Sequence, residues 1–212
     1  MKPPQGPSDH ADLTLDDEGW LAPAAHIVRR PSPNHDARPD DESPSLLVLH
    51  NISLPPGGFD GDAIIDFFLN RLDYAAHPWF ENIRGLRVSA HFLIRRDGAI
   101  VQFVPTCLRA WHAGASCFSG RERCNDFSVG IEIEGTDDQP FTDAQYLSLR
   151  RLAHAVRTRH PISDVCGHEH IAPGRKTDPG PCFDWARFAR EGGWRPEQLP
   201  GPPPHGPSGL QQ

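Results

Sequence analysis

The stretch SLLVLHN (residues 45–51) is typical of a buried β-strand. Four consecutive apolar residues, Leu46 to Leu49, leave it no polar face, and the turn-rich sequence SLPPGGF (53–59) follows at once. A short apolar run closed by proline and glycine is characteristic of a strand inside a sheet. We therefore predict a central strand that leaves the sheet at His50.

Two later segments predict further strands. VSAHFLIRRDGAIVQFVP (88–105) contains two β-rich runs on either side of Arg-Asp-Gly, and Asp-Gly is a strong hairpin signal because it accepts positive φ. FSVGIEIEG (127–135) alternates apolar residues with glycine and the two carboxylates Glu132 and Glu134. This alternation indicates a strand with one apolar face and one face that carries carboxylates.

Three segments have helical patterns. DAIIDFFLNRLD (62–73) has apolar residues at helical spacing, and TDAQYLSLRRLAHAVRTRH (142–160) opens with Thr142 and Gln145 in a capping-box pattern. FDWARFAREGG (183–193) predicts a short helix that ends at glycine. Together, the predicted strands and helices indicate an α/β (mixed α+β) fold, in which helices flank a central mixed β-sheet.

The length of 212 residues suits one domain with tails. We place the domain at residues 17–195. The segments 1–16 and 196–212 are predicted to be disordered tails, because they are rich in proline, glycine or polar residues and have few large side chains to bury. RRPSPNHDARPDDESPS (29–45) is predicted to be an extended loop that leads into the first strand.

Charge and composition exclude several classes of protein. The net charge of -7 argues against a nucleic-acid partner, and no apolar run is long enough to cross a bilayer. We expect no membrane anchor, no secretory signal and a monomer in the cytoplasm. The five cysteines follow no scaffold spacing, so we expect them to stay free in a reducing compartment.

The stretch CGHEHIAPGRKTDPGPC (166–182) gathers the reactive side chains. His168 and Asp178 stand ten residues apart in a loop rich in proline and glycine, which can turn both side chains toward one point. A catalytic zinc site needs three protein ligands and an open position, and His50 is a plausible distant third ligand. Because the chain has 12 histidines, the two loop histidines His168 and His170 could equally be hydrogen-bonded to the backbone.

Other interpretations remain open on spacing alone. Cys166, His168, His170 and Cys182 could hold a closed structural zinc, although they lack the usual CxxC or HxxxH spacing. A cysteine nucleophile with a histidine base is a second alternative, although no cysteine stands at a helix start, where a thiol pKa falls.

Two carboxylates and a lysine suit a metal hydrolase. Glu132 and Glu134 share the polar face of their strand, so at least one of them could carry a proton for a hydrolytic water, although a solvated strand face would explain both as well. Lys176, two residues before Asp178, could face an oxyanion, or it could be an ordinary surface lysine.

Five stretches of the chain carry a family resemblance. They are LLVLHNISLPPG, LRVSAHFLIRRDG, WHAGAS, GRERCNDFSVGIEIEGTD and IAPGRKTDPGPCFDWARF. Read in order, they resemble the type 2 N-acetylmuramoyl-L-alanine amidases, and among these the amidases of bacterial cell-wall recycling that act on 1,6-anhydromuropeptides. The likeness extends from about Asp17 to Arg190. It includes LDDEGWL and RPDDESPSLLV, which lie outside any active-site motif.

The resemblance implies the amidase-2, or peptidoglycan-recognition, fold and one Zn²⁺ per chain. It implies an enzyme that cuts the amide bond between the N-acetyl-1,6-anhydromuramyl lactyl group and L-alanine of the stem peptide. It makes His50, His168 and Asp178 the zinc ligands, Glu132 the proton acceptor and Lys176 the group that stabilises the transition state.

The substrate groove of the family is implied to include the residues Asn51, Arg87, Trp111 and Arg123. The arginines suit a stem peptide that carries carboxylates. Ala90 stands where some members of the superfamily have a catalytic tyrosine, so the proton shuttle is left to Glu132. A cysteine-type peptidoglycan hydrolase and a non-catalytic peptidoglycan-binding module remain the alternatives.

Overall fold

The computed structural model describes residues 12–39 and 42–201. Within that part of the chain, none of the helices is both long enough and apolar enough to cross a membrane. The strands are β1 (Ile27–Arg29), β2 (His35–Asp36), β3 (Leu46–Ile52), β4 (Phe92–Ile94), β5 (Ile100–Gln102), β6 (Arg109–Ala110), β7 (Cys117–Phe118), β8 (Arg121–Glu122), β9 (Ser128–Glu134) and β10 (Asp164–Gly167). The α-helices are α1 (Ala63–Phe68), α2 (Asp143–Arg159), α3 (His168–Ile171) and α4 (Trp185–Gly192).

A six-stranded mixed sheet forms the centre of the domain, in the order β1-β5-β4-β9-β3-β10. Strands β4, β9, β3 and β10 are parallel, whereas β4 and β5 form the predicted antiparallel hairpin. All seven residues of β9 are buried, as are the first five of β3. Central strands are covered on both faces, which explains the continuous apolar run in β3.

One face of the sheet packs against the helices α2 and α4. Leu49 and Ile131 of the sheet share a buried cluster with Leu152 and Val156 of α2 and Phe188 of α4. The capping box at the start of α2 is present, with Thr142 and Gln145 in the predicted roles. Each large apolar side chain buried in this layer contributes roughly 1.5–3 kcal/mol.

The opposite face carries two separate apolar clusters. One joins Leu93 and Val101 to α1, and the other joins Val48 and Cys166 to the loops around Phe127. The surface of β3 and β9 between these clusters carries polar side chains. The candidate functional site lies in this gap in the apolar layer.

The predicted helix over 62–73 is wrong in its extent. Helix α1 ends at Phe68, and Asn70 adopts a left-handed conformation with φ of 59°. Asparagine tolerates this conformation better than most residues. Its amide exchanges hydrogen bonds with Asn34, so a tertiary contact stops the helix.

Six strands, each of two to four residues, escaped the sequence patterns: β1, β2, β6, β7, β8 and β10. The parallel strands β1 and β10 complete the two edges of the central sheet, and β2 lies inside the predicted approach loop. The buried guanidinium of Arg38 anchors that loop, because it donates to the carbonyl oxygens of Asp126 (2.8 Å) and Ser128 (2.9 Å).

Parts of both predicted tails pack on the domain. Leu13 is buried, and the side chain of Gln198 donates to the carbonyl of Ser163 at 2.9 Å. The domain therefore takes in residues on both sides of the range 17–195. Residues 1–11 and 202–212 lie outside the described chain, so the expectation of disorder there stays a prediction.

Candidate metal centre and active site

Neighbouring strands bring two histidines together at the polar face of the sheet. His50 is the fifth residue of β3 and lies inside the strand rather than at its end. Strand β10 runs parallel to β3, with Gly167 opposite Leu49, and His168 directly follows Gly167. The two Nδ1 atoms of these histidines lie 3.0 Å apart.

Asp178 closes the group from the loop after α3. Its Oδ2 lies 2.8 Å from Nδ1 of His50 and 3.1 Å from Nδ1 of His168. The backbone of the loop is anchored on both sides of this contact, since the Glu169 N–H donates to the Asp178 carbonyl (2.9 Å) and the Asn51 amide donates to the Pro179 carbonyl (3.1 Å). Proline- and glycine-rich sequence here permits the tight return of the chain.

The three side chains form a donor set suited to a metal cation. Their ligand atoms lie within 4.8 Å of one another, and no other such group of histidine, cysteine, aspartate or glutamate occurs in residues 12–39 and 42–201. The Nε2–H of His168 donates to the carbonyl oxygen of Ala113 at 3.0 Å, which leaves the Nδ1 lone pair of His168 facing the group. Two imidazole nitrogens and one carboxylate oxygen fit the ligand chemistry of zinc.

The protonation states favour the same conclusion. Desolvation and the neighbouring His168 lower the pKa of His50 to about 4, so its imidazole is neutral near pH 7. Burial alone would raise the pKa of Asp178, but its contacts with His168 and His50 hold that pKa below the ordinary value. Metal ligands must be neutral histidines and ionised carboxylates, and the shifts of His50 and Asp178 favour these forms.

Glu132 lies directly beside the group. It is the Cα partner of His50 across the β3–β9 ladder, and side chains paired in this way share one face. Its carboxyl is buried, and its Oε2 has no hydrogen-bond partner. Desolvation, reinforced by the charge of Asp178, raises the pKa of Glu132 well above its ordinary value. A solvated strand face does not describe this carboxyl.

Lys176 acts on the site through its charge. It is an exposed residue of the loop before Asp178, and its backbone N–H donates to the carbonyl of Ala172 at 3.1 Å. Its positive charge partly offsets the desolvation that raises the pKa of Glu132, and it adds to the desolvation and the His168 charge that lower the pKa of His50. The predicted cation is therefore available at the rim of the site.

None of the four predicted substrate residues hydrogen-bonds to the three ligand side chains, and their role stays a prediction. The Asn51 amide donates to Asp137 (2.8 Å), and the Trp111 indole donates to Asp36 (3.1 Å). Arg123 pairs with Asp126 at 3.1 Å and keeps 70% of its side chain exposed. Arg87 is exposed on the segment after the 3₁₀ helix Pro78–Ile83.

Two open clefts contain residues next to these groups. One, of about 440 Å³, is lined by Arg123, Ser116 and Ile171 of α3. The other, of about 450 Å³, is lined by Asn51, Asp137 and Thr177, the neighbour of Asp178. The first cleft contains both Arg123 and Glu122, and the second contains Asp137 and Asp138.

His112 is the functional residue that sequence reasoning missed. Its Nδ1 lies 3.0 Å from Nε2 of His50, and desolvation and the His50 ring lower its pKa well below the ordinary value. Gly130 of β9 makes room for it, because a Cβ there would lie 2.5 Å from the His112 ring. The motif WHAGAS contained this histidine, but spacing could not show which strand it would reach.

His170 has a structural role in this fold. Its Nδ1 accepts a hydrogen bond from the Gly167 N–H at 3.1 Å, and its ring packs edge-on against Trp185. It therefore caps the start of α3 instead of facing the metal group. A closed zinc site made of Cys166, His168, His170 and Cys182 is not formed.

The cysteine interpretation gains no support from the structure. All five cysteines are free. Cys166 is fully buried among apolar side chains, where desolvation raises the pKa of its thiol well above the ordinary value, and Cys124 shifts in the same direction. Such thiols are poor nucleophiles because the thiolate is the reactive form.

Comparison with known proteins agrees with this site. The family described as N-acetylmuramoyl-L-alanine amidase matches residues 40–181. A 1,6-anhydro-N-acetylmuramyl-L-alanine amidase, AmpD, from Citrobacter freundii is 62% identical over 174 residues, which cover 81% of this chain and 91% of that protein.

Solved structures confirm the predicted fold. A crystal structure of a selenomethionine AmpD derivative has a TM-score of 0.79 at 60% identity and covers 84% of this chain and 98% of its own. AmpDh3 from Pseudomonas aeruginosa in complex with anhydromuramic pentapeptide has a TM-score of 0.51 at 29% identity, over 76% of this chain and 65% of its own. From its sequence, its mixed sheet and its relatives, this chain belongs to the N-acetylmuramoyl-L-alanine amidase family.

Proposed function

We propose that the protein is a zinc-dependent amidase. It hydrolyses the amide bond between the lactyl group of N-acetyl-1,6-anhydromuramic acid and L-alanine of the stem peptide, in cell-wall recycling. The observation that carries this proposal is the convergence of His50, His168 and Asp178 beside the buried carboxyl of Glu132. The name of the Citrobacter relative states this substrate, and that relative is 62% identical.

His50 and His168 through Nδ1, and Asp178 through Oδ2, would hold one zinc ion. When bound in a site with three protein ligands, zinc lowers the pKa of water to about 7 and polarises a carbonyl group. The anchored loop around Asp178 keeps the carboxylate in place before the metal arrives.

Glu132 is proposed as the general base and then the general acid. Its carboxylate takes a proton from the attacking water and delivers it to the nitrogen of the departing alanine. The environment suits both steps, because a carboxyl in an apolar surrounding holds a proton more readily than one in water. Its unpartnered Oε2 is free to receive that proton.

Lys176 is proposed to offset the negative charge that develops on the scissile carbonyl oxygen. Its loop position allows the long side chain to reach over the site, and its charge already acts on Glu132 and His50. Preorganised positive charge at a developing oxyanion commonly contributes about 100- to 1,000-fold in rate.

Arg123 and Arg87 are proposed to bind carboxylates of the stem peptide, and Asn51 and Trp111 to contact the rest of the ligand. Arg123 lines a cleft that also contains Glu122, whereas the cleft lined by Asn51 contains Asp137 and Asp138 and would repel an anionic peptide. AmpDh3 is a relative whose structure contains an anhydromuramic pentapeptide.

We further propose that the enzyme works in the cytoplasm as a monomer. Its five free cysteines fit a reducing compartment. Gel filtration with light scattering at micromolar concentration tests the monomer, and fractionation of the producing cells tests the location.

One inhibitor comparison tests the activity. Purified anhydromuropeptide is the substrate, and release of the free stem peptide is measured by chromatography. We expect a chelator to stop the release, added zinc to restore it, and iodoacetamide to leave it unchanged. Inhibition by iodoacetamide with indifference to the chelator would identify a cysteine hydrolase. Tight binding without any release would identify a binding module.

A further inference from the structure

A line of contacts runs from His50 away from the proposed metal. Nε2 of His50 lies 3.0 Å from Nδ1 of His112, and Nε2 of His112 lies 3.2 Å from Oγ of Ser128. The Ser128 hydroxyl in turn donates to the carbonyl oxygen of Cys124 at 2.6 Å. We call these three side chains and the carbonyl the relay.

The carbonyl at its end sets the direction of every hydrogen bond in the relay. A carbonyl oxygen can only accept, so the one hydroxyl hydrogen of Ser128 is used there. Oγ of Ser128 must then accept from the Nε2–H of His112. A neutral imidazole has a single N–H, so Nδ1 of His112 is an acceptor and takes the Nε2–H of His50.

The relay therefore leaves Nδ1 of His50 without a hydrogen. That atom is the one that faces Nδ1 of His168 and Oδ2 of Asp178. The reverse direction would turn the Ser128 hydrogen toward His112 and leave two acceptors, Oγ and the Cys124 carbonyl, only 2.6 Å apart. His168 has a carbonyl partner of its own, so His50 is the ligand that depends on another side chain.

The fold holds His112 firmly in this place. Its backbone N–H and that of Ala113 both donate to Oδ1 of Asn125, at 3.1 and 2.8 Å. Its ring lies against Gly130, where any larger residue would collide with it. Ser128 is fully buried, so water does not compete for its hydroxyl.

We propose that His112, supported by Ser128, is a positioning residue that holds His50 in its Nε2–H tautomer and keeps Nδ1 available as a metal ligand. This inference rests on the proposed zinc site. It assigns His112 no contact with substrate or metal. Hydrogen-bonded partners of metal-bound histidines commonly contribute about 10- to 100-fold in metal affinity.

Two variants of nearly equal size separate the hydrogen bond from the packing. His112→Leu removes the acceptor, whereas His112→Asn places an amide oxygen near the position of Nδ1. Zinc affinity is measured by competition with a chromophoric chelator, and the melting temperature of the zinc-free protein is recorded for both. We expect His112→Leu to bind zinc about 10- to 100-fold more weakly and His112→Asn to lose less than about tenfold.

A second pair of variants and one spectrum test the relay without changing His112. Ser128→Ala should also weaken zinc binding. Ser148→Ala removes another buried serine, whose hydroxyl donates to the Gly98 carbonyl at 2.6 Å, and should leave zinc binding unchanged. In the zinc-free wild-type protein, nitrogen NMR of the imidazoles should show a proton on Nε2 of His50.

Several results would overturn the inference. They are wild-type zinc affinity in both His112→Leu and Ser128→Ala, equal losses in His112→Leu and His112→Asn, or an unprotonated Nε2 on His50. If His112→Leu fails to fold, Ser128→Ala and the spectrum decide. Because affinity is measured apart from turnover, an inactive wild-type protein would refute the proposed function, whereas normal zinc binding by the variants would refute this inference alone.

Discussion

Replacing Glu132 by glutamine should abolish turnover and stabilise the zinc-free protein at the same time. Glutamine has nearly the same shape, so the packing between β3 and β9 is kept. It can neither accept nor return a proton. A purely structural role for Glu132 would predict the opposite of both results: turnover would be retained, and the zinc-free protein would be less stable.

The loss of activity follows from the isolation of this carboxyl. General acid–base catalysis contributes about 100- to 10,000-fold, which corresponds to roughly 2.7 to 5.4 kcal/mol in activation free energy. Only 9% of Glu132 is exposed, and its neighbour Glu134 is held by the backbone N–H of Arg96. No second carboxylate of β9 is free to take over, so we expect a loss near the upper end.

The gain in stability follows from removal of a buried negative charge, because glutamine keeps a polar atom at the unpartnered Oε2 position but carries no charge. Burial of an unsatisfied polar group costs about 1–3 kcal/mol, and more when the group is charged. At about 2–4 °C for each kcal/mol in a protein of this size, Glu132→Gln should melt a few degrees higher. Because the folded pKa of Glu132 is raised, the wild-type penalty is present at pH 7 and disappears as the pH falls below the ordinary value.

The assay combines peptide release, zinc content and thermal melting after chelation, at pH 7 and at pH 4. Glu134→Gln is the matched control, since it changes a buried glutamate two residues along the same strand. Substantial turnover by Glu132→Gln would remove this residue from the mechanism. A lower melting temperature at pH 7 with an unchanged zinc content would show that the carboxyl stabilises the fold.

Three other changes have expected outcomes of their own. Asp178→Ala should lower the zinc content measured by atomic absorption, and a variant that keeps full zinc would mean that this carboxylate is not a ligand. Lys176→Met should lower kcat about 100-fold and retain zinc, and an unchanged kcat would remove Lys176 from the mechanism. Burial and the charges of Arg159 and Arg38 lower the pKa of His160 to about 4. The contribution of His160 to stability is therefore complete above about pH 6.5 and is lost as the pH falls toward 4. The melting temperature should therefore fall over this range, and less steeply in His160→Gln; equal slopes would refute the assignment.

Strong local signals predicted the larger elements of the fold. The apolar run of β3, the alternation in β9, the Asp-Gly hairpin and the capping box of α2 depend only on neighbouring residues, and each element is present. The sequence patterns did not predict strands β1 and β10. They form because a neighbouring strand supplies hydrogen bonds along its edge, which no local pattern encodes.

The individual roles at the site needed three-dimensional information. Spacing could place His168 and Asp178 in one loop, but only the pairing of β10 with β3 brings them to His50. The sequence also left Glu132 open between a solvated face and a proton carrier. The structure buries this carboxyl between two apolar clusters, which argues against a solvated face, whereas the role of proton carrier stays a proposal.

By itself, the amino-acid sequence determined the class of fold, the central strands and the family to which this chain belongs, because these follow from local patterns and motifs. Only the tertiary structure decided which nitrogen of His50 faces Asp178, that His112 contacts the other nitrogen and that His170 caps a helix. These assignments depend on distances between segments that are far apart in the chain. The direction of each hydrogen bond depends on which partner can only accept. In the contact between the Ser128 hydroxyl and the Cys124 carbonyl, that partner is the carbonyl oxygen.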